Sequence, residues 1–72
     1  MKLFINGDER LFPDAAPATA LTLHALIEAL ELKSDRVAVE LNREIVARDC
    51  WSQTQLKDGD RLEIVHFVGG GR

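Results

Sequence analysis

A single cysteine, Cys50, stands in 72 residues, so no disulfide can close within the chain, and the sequence suits a reducing compartment. No apolar run approaches the roughly 20 residues that cross a bilayer. The opening Met1-Lys2-Leu3-Phe4-Ile5 reaches a turn at Asn6-Gly7 too soon for a secretory signal. These absences point to a cytoplasmic protein with no membrane partner. Positive charge is not concentrated either: nine Lys and Arg are scattered among twelve Asp and Glu, for a net charge of -3. Phosphate recognition wants a basic face, so nucleic acid is not an expected partner. Neither His24 nor His66 has a cysteine or second histidine at ligand spacing, and no metal site is expected. Asp58-Gly59-Asp60 is a fragment of a calcium loop without the remaining ligands, and it reads as a turn. No Ser-His-Asp set, nucleophile elbow or phosphate loop occurs, and Gly69-Gly70-Gly71 has no helix after it to make a cradle. A domain this small without a convergent polar pocket has little room for an active site, so enzymatic activity is the least expected class.

What is present is ordinary for one small globular domain, with 46% hydrophobic and 29% charged residues. Lys2 to Ile5 reads as a strand, Asn6-Gly7 as a hairpin turn that needs positive φ at both central residues, and Asp8 to Phe12 as the returning strand. Pro13 ends it by withholding a ladder donor, and Asp14 to Ala20 is a small-residue crossover loop. Thr22 is the expected N-cap of a helix, with Leu21 and Leu26 at the spacing of a hydrophobic staple. Leu23, Leu26, Ile27 and Leu30 make one apolar stripe, and the helix is expected to end near Leu32 to Ser34. Val37 to Leu41 alternates as a third strand, with Val37, Val39 and Leu41 inward. Asn42-Arg43 turns it into a short fourth strand, Glu44-Ile45-Val46. Arg48 to Leu56 reads as irregular, with Trp51 and Leu56 plugging one end of the core. Lys57 to Asp60 is a turn, and a final strand runs from Arg61 to about Phe67.

One helix packed across one face of a mixed sheet is the economical way to bury that many apolar positions. The last strand must pair centrally beside the first to bury Leu62 and Ile64 next to Leu3 and Ile5. The expected fold class is therefore α+β: a β-grasp, or ubiquitin-like, domain over residues 1–68, with four to five strands and one helix. The other sheet face would carry Phe4, Ala38, Glu40, Glu63, Val65 and Phe67 without a helix to cover them. Two readings of that face stay open, a partner surface and cross-strand pairs that shield one another. Residues 69–72 follow as a flexible glycine tail reaching on the order of 13 Å beyond the domain. Such a tail is either a frayed terminus or a carboxyl end built to thread into a narrow site, since glycine has no Cβ to collide.

Asn6-Gly7, Val37 to Asn42, Glu44-Ile45-Val46, Trp51 and the closing stretch Asp58 to Gly71 together resemble the ThiS sulfur-carrier family of thiamin biosynthesis, within the ThiS/MoaD ubiquitin-like group. The resemblance covers nearly the whole chain and is most specific from Asp58 to Gly71. It implies a protein substrate with no catalytic residues of its own. An E1-like adenylating enzyme (ThiF-like) would use ATP and magnesium to turn the terminal glycine carboxylate into an acyl-adenylate. Sulfur from a cysteine desulfurase would displace AMP, leaving a thiocarboxylate, and a thiazole synthase (ThiG-like) would take that sulfur. The carrier itself would bind no cofactor and stand alone as a monomer. Gly71 is then the activated carboxylate, and Gly69, Gly70 and Gly71 thread into the partner. Phe4, Val65, His66, Phe67 and Val68 are the candidate partner surface.

Family members act through a C-terminal glycine, whereas Arg72 follows Gly71 here. The expectation is that Arg72 is removed and Gly71 becomes the mature end. Arg43 sits where a turn glycine would be comfortable, and Ala47 where a loop proline would. Cys50 invites a sulfur-transfer role, but its neighbour Asp49 gives a thiolate no support, and it reads as incidental. Two alternatives remain: a thiocarboxylate carrier for another pathway such as molybdopterin synthesis, or a ubiquitin-like binding module whose tail is inert.

Overall fold

A computed structural model describes residues 1–12 and 21–67 of the chain. Five strands form one sheet: β1 (Lys2–Ile5), β2 (Asp8–Leu11), β3 (Val37–Leu41), β4 (Glu44–Ile45) and β5 (Arg61–His66). Their order is β2-β1-β5-β3-β4. β1 and β5 run parallel at the centre, and the remaining neighbours are antiparallel. Helix α1 (Leu23–Ala29) and two 3-10 turns, Ser34–Arg36 and Arg48–Gln53, complete the described fold. This is the expected β-grasp arrangement, with the last strand inserted beside the first.

Period-two alternation puts Leu3, Ile5, Val37, Val39, Leu62 and Ile64 on one sheet face, where all are buried. Leu23, Leu26 and Ile27 of α1 close over them. Trp51 is 1% exposed and donates its indole N–H to the Val46 carbonyl at 2.9 Å, which meets the usual need of a buried tryptophan for a partner. Leu56 is buried beside it, so both residues plug the core as expected. The stretch 48–53 is more ordered than the irregular segment foreseen, because the 3-10 turn is what carries Trp51 inward. Leu23 N–H to Thr54 O and Leu56 N–H to Leu21 O, at 2.8 and 2.9 Å, tie this segment to the start of α1.

Thr22 caps α1 as expected, its Oγ1 accepting from Ala25 N–H at 3.1 Å. The helix stops earlier than its apolar periodicity suggests. Glu31 takes φ +60°, so Leu32 N–H reaches back to Ile27 O and Glu31 N–H to Glu28 O. These are the two bonds of a Schellman end, usually made with glycine. Leu32, half-buried against the core, becomes the apolar contact that accompanies such an end. Leu30, expected on the buried stripe, is likewise half-buried.

β1 and β3 have the expected bounds, while β2, β4 and β5 each end one residue early. β2 ends at Leu11, yet Phe12 stays tied to Met1 through bonds of 2.8 and 2.7 Å. Val46 lies past β4 but donates to Val39 O, and Phe67 lies past β5 but donates to Arg36 O at 2.8 Å. Leu41 is half-buried at its strand's end. Pro13, the crossover loop and the tail from Val68 onward lie outside the described residues, and with them the proposed boundary between residues 68 and 69.

Asn42 and Arg43 both have positive φ, +51° and +74°, the backbone of a type I′ turn. Asn tolerates that region, whereas arginine carries a Cβ penalty of roughly 1–2 kcal/mol. Arg43→Gly and Glu31→Gly should each raise stability by about 0.5–1 kcal/mol, after the entropy glycine adds to the unfolded chain. Urea midpoints at constant slope test this, and a lower midpoint for both variants would contradict the account.

Candidate functional site

Because β5 alternates, the residues that do not face α1 form the opposite surface: Arg61, Glu63 and Val65, with Phe67 following. β1 adds Phe4 beside Arg61, and β3 adds Glu40 beside Glu63 and Ala38 beside Val65. At the edges, Lys2 pairs with Leu11 and Glu40 with Ile45. None of the described helical segments packs on this face.

The two readings of the face divide by position. Phe4 is half-buried, and the Arg61 guanidinium lies 4.6 Å from its ring centroid, a cation–π contact that covers the ring. Val65 and Phe67 stay open, 58% and 55% exposed, so Phe4, Val65 and Phe67 do not shield one another. Leu11 and Ile45 at the two edges are more open still. Glu40 and Glu63 lie directly opposite each other. Like charges in that relation repel, and among the described residues neither has an ion-pair partner, the recorded pairs being Lys2–Glu9 and His24–Glu28.

The expected partner-surface residues are therefore only partly brought together. Phe4, Val65 and Phe67 share the outer face. His66 has the parity of Leu62 and Ile64, so it sits on the α1 side of the sheet, exposed at the strand's end. Val68, Gly69, Gly70, Gly71 and Arg72 lie outside the described residues. Sequence reasoning passed over Arg61 and Ile45. Arg61 was legible, since parallel pairing puts it against Phe4; the exposure of Ile45 follows from the shortness of β4.

Among the described residues, no three His, Cys, Asp or Glu side chains are grouped to hold a metal ion, and no helix is long and apolar enough to cross a membrane. Cys50 is exposed on the 3-10 turn. His24 Nε2 lies 3.3 Å from Glu28 on the outer side of α1, an exposed pair of little energetic weight.

The ThiS family model matches residues 3–71, from the first strand through the run of glycines. The chain belongs to the ThiS family. It is 42% identical over 50 residues to the sulfur carrier protein ThiS of Bacillus subtilis, covering 69% of this chain and 76% of that protein. With ThiS of Escherichia coli it shares 35% over 63 residues, 85% of this chain and 96% of the relative. A thiazole synthase of Paramagnetospirillum magneticum is 48% identical over 71 residues, 99% of this chain but 20% of that protein. The chain thus spans about a fifth of the length of the thiazole synthases it matches. Among solved structures, the crystal structure of ThiS from Geobacter metallireducens superposes with a TM-score of 0.81 at 36% identity, covering 99% of this chain and 100% of that one.

If the open part of the outer face is where a partner of this ThiS-family chain docks, Phe67→Ala should weaken the complex with an adenylating enzyme about tenfold, and Cys50→Ala should leave it unchanged. Titration calorimetry gives both numbers; equal effects would sink this assignment.

Proposed function

We propose that the chain is a sulfur carrier for thiazole formation in thiamin biosynthesis, acting as a protein substrate rather than as a catalyst. The observation that carries this reading is a family match over residues 3–71, which takes in Gly69-Gly70-Gly71. A carboxylate is a poor acyl electrophile until a good leaving group is attached. An adenylating partner of the ThiF kind supplies one: with its own ATP and magnesium it joins the Gly71 carboxylate to AMP and releases pyrophosphate. The outer sulfur of a cysteine desulfurase persulfide then attacks the acyl carbon and expels AMP, giving an acyl disulfide. A further thiol cleaves its S–S bond to leave the Gly71 thiocarboxylate and a disulfide. A terminal glycine carbonyl is the least hindered that a protein can offer, and a side-chain-free segment fits a narrow channel. Gly71 becomes that terminus once the chain is cleaved after it.

The likeness of this whole chain to one part of thiazole synthases supports such a synthase as the acceptor. Val65 and Phe67 lie where the last described residues leave the sheet, so one partner can hold this surface and receive the tail together. An apolar pair bordered on one side by the charges of Glu63 and Glu40 has the make-up of a docking patch.

The test is a chain ending at Gly71 mixed with an adenylating enzyme of this kind and ATP. The carrier reading expects a carrier–AMP adduct by mass spectrometry, and expects deletion of residues 70–72 to abolish it while binding through the outer face persists. Binding without any adduct from the Gly71-ended chain would favour the inert-tail binding module instead.

A further inference from the structure

β1 serves β5 with backbone groups only over a short stretch. Phe4 N–H donates to Asp60 O at 3.0 Å and Asn6 N–H to Leu62 O at 2.8 Å. The chain then reverses at Asn6-Gly7, with φ of +52° and +86°, and the line of β1 ends. Along β5, the odd-numbered residues bond to β3, as the Phe67–Arg36 and Asn42–Arg61 bonds show. The even-numbered ones therefore face the β1 side. The next groups due for pairing there are the N–H and C=O of Ile64, with no backbone opposite them.

The Asn6 side chain takes both. Its Oδ1 accepts from Ile64 N–H at 2.7 Å, and its Nδ2 donates to Ile64 O at 3.1 Å. A carboxamide offers an acceptor and a donor side by side, as a peptide unit does, whereas a carboxylate or a hydroxyl cannot match both groups so. The orientation of the amide is fixed by the polarity of the Ile64 backbone. Asparagine also tolerates positive φ, so one residue turns the hairpin and continues the ladder.

We propose that Asn6 is a positioning residue for the C-terminal segment. Its carboxamide stands in for the missing next residue of β1 and keeps β5 paired on both edges up to Ile64. That fixes the direction in which the chain passes through Val65 and Phe67 toward the tail. Without it, the end of β5 would hang on β3 alone. Ordering that end in advance lowers the entropy a partner must remove when it takes up the tail. The functional consequence rests on the carrier reading above; the geometry does not.

The experiment compares the Gly71-ended chain with Asn6→Gly, which keeps the left-handed backbone but has no carboxamide, and Asn6→Asp, which keeps the acceptor but not the donor. Amide exchange is followed by NMR, and adenylation by a ThiF-type enzyme with ATP is followed at varied carrier concentration. Asn6→Gly should speed Ile64 exchange about tenfold while exchange at Leu3 and Val39 is unchanged. It should raise KM for the carrier about tenfold with kcat preserved, and Asn6→Asp should fall between. A purely structural role would instead speed exchange across the sheet and leave KM alone in the folded protein. Parental Ile64 exchange together with parental KM in Asn6→Gly would overturn the proposal, and Asn6→Asp decides on the same terms if the glycine variant does not fold. An unmodified chain that the enzyme does not activate would refute the carrier reading alone, and the exchange comparison would still decide the role of Asn6.

Discussion

The parallel pairing of β1 with β5 is the contact on which the rest depends. It joins the first strand to the last, so the sheet cannot close until nearly the whole chain is in place. It also puts β5 in the interior of the sheet, where Leu62 and Ile64 are buried beneath α1. Every other element is arranged around that strand. α1 covers it, the 3-10 turn carrying Trp51 closes one end, and β3 with β4 widens the sheet on its far side. Closing so long a loop costs entropy, and burial of eleven apolar side chains among the described residues in one cluster offsets it in a domain small enough to be marginal.

The same strand divides the molecule into a face that stabilises and a face that is offered. Arg61, Glu63 and Val65 contribute nothing to the core, and Glu63 stands opposite Glu40 where their charges repel. Stability alone does not explain that choice. A strand whose inward residues hold the fold and whose outward residues stay open can present a partner surface and lead directly to the tail. Asn6 joins these two tasks, since its side chain is 58 residues from Ile64 along the chain yet extends the ladder at the point where β5 approaches its exit.

Much of this was legible in the amino-acid order. Alternation in Val37 to Leu41 and Arg61 to Phe67, the Asn6-Gly7 turn and the Thr22 cap are local signals, and local signals give elements, inward faces and the pairing order they force. The features that were not legible depend on tertiary context. Nothing in Glu31 announces a left-handed residue, because the helix end is set by the seat Leu32 finds against the core. Arg48 to Gln53 carries no helical period, yet it turns because Trp51 needs a route inward. His66 reads as a neighbour of Phe67 in sequence but falls on the opposite side of the sheet. Asn6 announces a turn, while its bonds to Ile64 appear only once β5 lies beside it. The open state of Val65 and Phe67 needed the structure as well, since cross-strand shielding was an equal reading of the same residues.

The most direct test of the account is the intact mass of the protein purified from cells, with the C-terminal peptide sequenced so that oxidation of Met1 is not mistaken for sulfur. The account predicts a population ending at Gly71 with sulfur in place of one terminal oxygen. A chain that keeps an unmodified terminus even when adenylating enzyme, ATP and a sulfur source are supplied to the Gly71 form would contradict it.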